Sequence, residues 1–394
     1  MIRRTALRAM LGALSALLIV GSTVLAESGF SDPVTLRTGP AAAGVELEDV
    51  AAKGSNVSVV WEEFEGGQSD IRLRTSMDGG RTFRSQRLVE DRHGSNASTD
   101  ICAGFAWVAH SFRLAGDPNT SDGLIVDGLA ISGPVVSGEA LVSSGGSQNV
   151  DETDFACVGS RRRAAAWVDR DFKATSIVHV RFLPILLDPN GQEPPDFERS
   201  FEADGFTPVA LAASGSHAWL AWHTTDRRIR IKPFDVGPGP DFTVTPRPAV
   251  TLPDSGSSSG DIGLGAAGSR LVIAYGLNGH TFARVSTDWG ASFGPRERLL
   301  TGFEDGLTSA VSADIRGSRA VVHAVETGGF IDPVIRAHRF QSTNDGATWN
   351  GALRDSDGIR MGAFTADGGT RLVEAWDQSA SNNDPQRLRF HREL

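Results

Sequence analysis

Leu211-Ala-Ala-Ser-Gly215-Ser-His-Ala-Trp-Leu-Ala-Trp222 decides the fold, because the same phrase returns along the chain. Val50-Ala-Ala-Lys-Gly54-Ser-Asn-Val-Ser-Val-Val-Trp61 repeats it, as does Leu264-Gly-Ala-Ala-Gly268-Ser-Arg-Leu-Val-Ile-Ala-Tyr275. In all three the aromatic lies seven residues beyond the glycine. Two short apolar runs around a Gly-Ser pair describe two strands joined by a tight hairpin, in which glycine takes a positive φ without cost. The small side chains of the first run suit close packing near an axis. Looser copies run from Cys157-Val-Gly159-Ser to Trp167, from Gly317-Ser318 to Ala324, and from Gly369 to Trp376. A shorter one, Cys102-Ala-Gly104-Phe-Ala-Trp-Val-Ala-His110, is either a unit of its own or an insertion.

A third strand follows each pair. Ile71-Arg-Leu-Arg74, Arg228-Ile-Arg-Ile-Lys232, Thr281-Phe-Ala-Arg-Val285, Val334-Ile-Arg-Ala-His338 and Arg387-Leu-Arg-Phe-His391 alternate apolar and polar residues. Period two means half-buried strands with one solvated face. No convincing helical stripe occurs after residue 26. Four-stranded antiparallel units repeated about a centre make an all-β propeller, which leaves only short sheet edges.

Three octapeptides at the ends of third strands share a further pattern. They are Ser76-Met-Asp78-Gly-Gly80-Arg-Thr82-Phe83, Ser286-Thr-Asp288-Trp-Gly290-Ala-Ser292-Phe293 and Ser342-Thr-Asn344-Asp-Gly346-Ala-Thr348-Trp349. The pattern resembles the Asp-box, Ser-x-Asp-x-Gly-x-Thr-Trp, of the sialidase-like superfamily of propellers. Its chemistry is that of a turn: the Asp or Asn side chain accepts backbone N–H groups, the glycine supplies the unusual φ, and the aromatic folds back onto the core. From Ser286 to Ser342 is 56 residues, and from Ser76 to Ser286 is 210, about four such units. Seven blades result, or six if the short second unit is an insertion.

The start of the chain carries Arg3, Arg4 and Arg8, an apolar run from Ala9 to Val20, and Val24-Leu25-Ala26. These are the parts of a signal peptide over residues 1–26, leaving 27–394 as one secreted or periplasmic propeller domain. Losing three arginines takes the net charge from −10 to −10 − 3 = −13. Such a surface repels nucleic acid and anionic membranes, and no later apolar run is long enough for membrane insertion. A monomer without cofactor is expected, with a bound Ca2+ as the alternative. Cys102 and Cys157 occupy matched places in neighbouring units, and export supplies an oxidising setting, so a disulfide is expected between them. The last segment, 386–392, reads as a third strand with no fourth after it. Pro33-Val-Thr-Leu-Arg-Thr-Gly39 resembles a fourth strand, so the ring is expected to close by pairing the two ends.

In such a meander the Gly-Ser turns and the boxes share one face of the disc. The opposite face, where sialidase-like propellers place their catalytic sites, gathers Asp49, Glu62, Asp100, Arg113, Asp154, Asp169, Arg170, His223 and Tyr275. These form the candidate ligand face; no catalytic set and no metal set is assigned. The resemblance implies three arginines, a tyrosine with a glutamate, and an aspartate for a sialidase. The family's early Phe/Tyr-Arg-Ile-Pro segment is missing, and the one tyrosine, Tyr275, stands where other units have a core tryptophan. The expectation is therefore a binding or scaffold propeller for a glycan or partner protein. A carbohydrate-active hydrolase or lyase is the alternative.

Overall fold

The computed structural model describes residues 30–394 apart from 39–43, 66–67, 92–93, 113–122, 134–135, 145–148, 161, 171–174, 185–196, 206, 238–242, 254, 256–257, 302–306, 329–333, 355–359, 366–370 and 379–386. Residues 1–26, read from the sequence as a signal peptide, and Arg113 lie outside these residues. The described strands fall into seven antiparallel sheets, so the short second unit is a blade and the count is seven. Blade 1 runs outward from the axis as Gly44–Lys53, Asn56–Glu65, Gln68–Ser76 and Arg87–Glu90. Blade 2 comprises Gly94–Cys102, Phe105–Phe112, Gly123–Ala130 and Val136–Ser144. Blade 3 comprises Asn149–Val158, Arg162–Arg170, Thr175–Pro184 and Phe197–Asp204. Blades 4 (209–251), 5 (258–301) and 6 (307–354) keep that order, the outer edge of blade 4 being split into two pieces.

Blade 7 takes Arg360–Thr365, Arg371–Gln378 and Arg387–Arg392 from the end of the chain and Val34–Thr38 from its beginning. Val34 pairs with Phe390 and Thr38 with Arg387, and a bridge from Phe30 to Glu393 extends the ladder. The two ends meet as the sequence predicts, so opening the ring requires breaking this pairing.

The Gly-Ser turns have φ of 63° at Gly54, 65° at Gly159, 59° at Gly215, 58° at Gly268 and 57° at Gly317. Blade 2 turns instead through Ala103 and Gly104, at 53° and 82°, which is why its phrase is shorter. Seven residues past the glycine, each aromatic packs on the preceding blade. Trp61 meets Val373, Leu388 and Phe390 of blade 7, Trp222 meets blade 3, and Tyr275 meets blade 4. These rings are fully buried. Truncating one such tryptophan to alanine costs about 3–5 kcal/mol, so the repeat aromatic joins blade to blade.

The three boxes fold alike. Ser76, Ser286 and Ser342 each donate a hydroxyl to the Asp or Asn two residues on, at 2.8, 2.8 and 2.9 Å. The same hydroxyls accept the glycine N–H four residues on, at 2.9 Å in each. Asp78, Asp288 and Asn344 then accept the N–H of residues 82, 292 and 348. Burial pushes the Asp78 carboxyl up, but the Thr82 and Ser76 bonds outweigh it and hold the group at about 2. Phe83 packs on Phe390, 4.7 Å away, Phe293 packs on the core between blades 4 and 5, and Trp349 on that between blades 5 and 6. Cys102 and Cys157 are bonded, with Cα atoms 6.0 Å apart, stapling blade 2 to blade 3.

Candidate functional site

An innermost strand has a neighbour on one side only, so its other edge presents unpaired N–H groups to the axis. The innermost strands enclose a channel of about 770 Å³. Acidic side chains meet those free donors. Asp49 accepts the N–H of Val50 at 2.7 Å and, across the blade boundary, that of Thr99 at 2.8 Å. Asp100 takes Ile101 and then Cys157 of blade 3, at 2.6 and 2.7 Å. Asp154 takes Phe155 and then Leu211 of blade 4, at 2.7 and 2.6 Å. Each carboxyl therefore clamps its own strand to the next blade. Hydrogen bonds of this kind contribute about 0.5–1.5 kcal/mol each, and about 1.5–3 kcal/mol where the carboxyl is ionised.

Bulges aim these groups. The innermost strands of blades 1, 2, 3, 5 and 6 each slip register once near their start, between Leu47 and Asp49 in blade 1 and between Val150 and Thr153 in blade 3. An extra residue bends the strand and turns its side chains toward the axis. The bulged Glu48 accepts the Ala97 N–H at 3.0 Å. Burial, with Glu62 and Glu46 adding, raises its carboxyl well above the usual range.

Ser98 stands between two clamps. Its hydroxyl oxygen lies 3.0 Å from Asp49 Oδ2 and 2.9 Å from Asp154 Oδ1. Burial, then the charge of Asp154, pushes Asp49 up to about 7. Burial pushes Asp154 up to about 6, with Asp100 contributing in the same direction. The channel ends differ in charge. Glu46, Glu152 and Asp261 line it near the strand starts, on the face away from the Gly-Ser turns, whereas Lys53 and Arg316 line it beside those turns.

The other predicted site residues are dispersed. Glu62 is buried opposite Glu46 on the neighbouring strand and bonds to Glu48. Tyr275 lies in the core between blades 4 and 5, not on the ligand face, because its strand position carries the repeat aromatic. His223 is buried in blade 4; burial first, then Arg227, lowers it to about 4 against the opposing pull of Asp204. Asp169 lies on the flank of blade 3, where it meets His179 at 3.0 Å. Arg170 ends the second strand of that blade, paired with Ser176. So Asp49, Asp100 and Asp154 come together at the channel, and Glu62, Asp169, His223 and Tyr275 do not. Ser98 and Glu48 escape sequence reasoning, since only the bulges bring them to the axis.

Among the described residues, no group of three or more His, Cys, Asp and Glu side chains is arranged to hold a metal ion, and no helix is long and apolar enough to cross a membrane. No family model matches the chain, and no curated protein matches it. Solved structures do. The subtype N10 neuraminidase-like protein of A/little yellow-shouldered bat/Guatemala/060/2010 aligns at 8% identity over 92% of this chain and 99% of its own, with a TM-score of 0.46. Trypanosoma rangeli sialidase aligns at 10% identity over 89% of this chain and 55% of its own, with a TM-score of 0.43. A prolyl endopeptidase structure aligns at 14% identity over 84% of this chain and 47% of its own, with a TM-score of 0.42. The chain thus spans about half the length of the trypanosomal sialidase. At these identities the likeness is one of fold alone.

Proposed function

We propose that this protein is an exported binding propeller whose ligand, a glycan or a segment of a partner protein, engages the acidic mouth of the channel. One observation carries the reading: the inner carboxylates are already committed to backbone donors of the adjacent blade, which leaves the mouth as the polar surface available to a ligand. The clamped ring gives that mouth a fixed shape, and preorganisation lowers the cost of binding. Glu46 and Asp261 offer acceptors to hydroxyl or amide donors. The disulfide fits an oxidising compartment.

A hydrolase reading finds less support in the channel. A retaining glycosidase needs two carboxylates roughly 5–5.5 Å apart with the substrate between them. Asp49 and Asp154 are close, but each accepts two backbone N–H groups, and the Ser98 hydroxyl fills the gap. Tyr275 is 0% exposed and so out of reach of a substrate.

Calorimetric titration of the mature protein with a panel of neutral oligosaccharides and basic peptides tests the proposal. Changing Glu46 and Asp261 together to Gln and Asn should weaken the best ligand by about tenfold or more, the worth of one or two lost charge-assisted bonds. The melting temperature should stay put. Equal affinity in parent and variant removes the mouth as the site.

A further inference from the structure

The flank of blade 3 that faces blade 2 carries a second constellation. In an antiparallel ladder, directly opposed residues share one face of the sheet. Trp167 opposes His179, and His179 opposes Ser200. Asp169 opposes Ile177, one step along the same face. Register alone thus places an acid, an imidazole and a hydroxyl side by side on three successive strands, and the side chains meet. The Ser200 hydroxyl lies 2.9 Å from His179 Nδ1, and His179 Nε2 lies 3.0 Å from Asp169 Oδ2.

We propose that Ser200, His179 and Asp169 act as nucleophile, base and positioning acid in the hydrolysis of short-chain carboxylic esters. The carboxylate fixes the tautomer: Nε2 donates to Asp169, which leaves Nδ1 as the acceptor facing the serine. Relative to the serine-protease arrangement the two ring nitrogens have exchanged places, while the order hydroxyl–imidazole–carboxylate is the same. Trp167 holds the ring, stacked at 4.9 Å and 7°. Two buried polar atoms beside it, Trp167 Nε1 and Asp169 Oδ1, have no hydrogen-bond partner among the described residues.

Ser200 is exposed on Phe197–Asp204, the outermost strand of its blade. Along such a strand every second N–H points away from the sheet, and these are the donors for a developing oxyanion. Ile177, 41% exposed beside Asp169, offers an apolar contact for a small acyl group. Exposure at Ser200 and Ile177 fits an ester carried on a larger molecule.

In the reaction the Ser200 oxygen attacks the carbonyl carbon as its proton passes to His179 Nδ1. The bond from the carbonyl carbon to the alcohol oxygen breaks, and His179 returns the proton to the departing alkoxide. Water then attacks the acyl-serine in the same manner, releasing the carboxylic acid and restoring the hydroxyl. Glu198 Oε1 lies 3.4 Å from Nδ1 and competes for a charged ring, so the base requires neutral His179.

This site lies outside the channel, and its fate is independent of the binding reading above. The test uses the mature chain with p-nitrophenyl acetate as substrate and a fluorophosphonate as covalent probe. A single adduct is expected, on the peptide containing Ser200. Ser200→Ala should abolish the adduct and lower ester hydrolysis by about 100-fold, with an unchanged melting curve. Asp169→Asn should lower kcat more than it changes KM, and Asp169→Glu should recover part of the loss. No adduct on the folded protein, an adduct elsewhere, or Ser200→Ala hydrolysing the ester at the parental rate overturns the proposal.

Discussion

The Ser98 bridge makes a prediction about pH that runs against the usual behaviour of carboxylates. A hydroxyl has one hydrogen, yet Ser98 sits within hydrogen-bond distance of both Asp49 and Asp154. Both contacts are favourable only if one carboxyl keeps its own proton and donates it to Ser98, which donates onward to the other. Asp49, raised to about 7 by burial and by Asp154, is the natural holder of that proton. The groups facing this chain are acidic, Asp100 beside Asp154 among them. In the unfolded chain an aspartate titrates near 3.9. The folded state therefore binds more protons between about pH 4 and pH 7, and stability falls as pH rises through that window. A rise from 3.8 to about 7 corresponds to roughly 4 kcal/mol for Asp49, an upper bound because channel water screens the charge. Asp154→Asn removes the second-largest cause of the rise and lets an amide N–H replace the shared proton. It also leaves one backbone donor short of its acceptor, at a cost of about 1–2 kcal/mol. Urea denaturation at pH 5, 6, 7 and 8 should show the parent losing stability steadily toward pH 8. The variant should start lower at pH 5 and lose less, so that the two curves approach one another. A parent at least as stable at pH 8 as at pH 5, or a variant with the parental slope, would falsify the shared proton.

Reduction of the Cys102–Cys157 bond, which spans a sequence separation of 55, should lower stability by about 4 kcal/mol on the loop-entropy estimate, seen as a drop in melting temperature with reductant. No change in melting would mean that the blades are held without the staple. Asp78→Ala and Asp288→Ala should each cost about 1–2 kcal/mol through lost turn bonds while ligand affinity stays constant; a selective loss of binding would make the boxes sites. Gly80→Ala should cost about 2–4 kcal/mol, since φ is +81° and a Cβ would sit 2.3 Å from the Phe390 ring. Gly54→Ala, at φ +63° with open space around it, should cost only about 1 kcal/mol, and equal losses at the two positions would refute the packing argument. Deleting residues 27–40 exposes the edge of Arg387–Arg392 and should lower the melting temperature and promote association; a monomer melting like the parent would show that the closing strand is dispensable.

The sequence was most informative where one residue type answers one local demand. Gly54, Gly215 and Gly268 take a positive φ, the box serines and aspartates satisfy their own turns, and Trp61, Trp222 and Tyr275 each fill the same gap between blades. Those features recur because the demand recurs, and recurrence is visible in one sequence. Blade 2 departs from the repeat because its turn is tightened through Ala103 and Gly104. Sites assembled across strands leave no such trace. Asp49, Asp100 and Asp154 stand out as acids at strand starts, but their partners are N–H groups 50 to 57 residues away, in the next blade. Ser200, His179 and Asp169 come together only through the pairing register of three strands.

That contrast explains why the acids on the axis are a poor guide to ligand chemistry in this ring. A propeller of separate sheets must join each innermost strand to the next without a continuous ladder, and its free N–H groups call for acceptors. Carboxylates supply two strong acceptors each and reach across the boundary, at the cost of crowding like charges around one channel. Protonation of one member relieves the crowding, which is why burial and neighbouring acids raise Asp49 and Asp154 together. Acidic groups gathered at a channel thus arise from closing the ring, before any ligand is considered. The carboxylates that such bonding leaves over are Glu46 and Asp261 at the mouth, on which the proposed binding rests, and Asp169, on which the proposed ester hydrolysis rests.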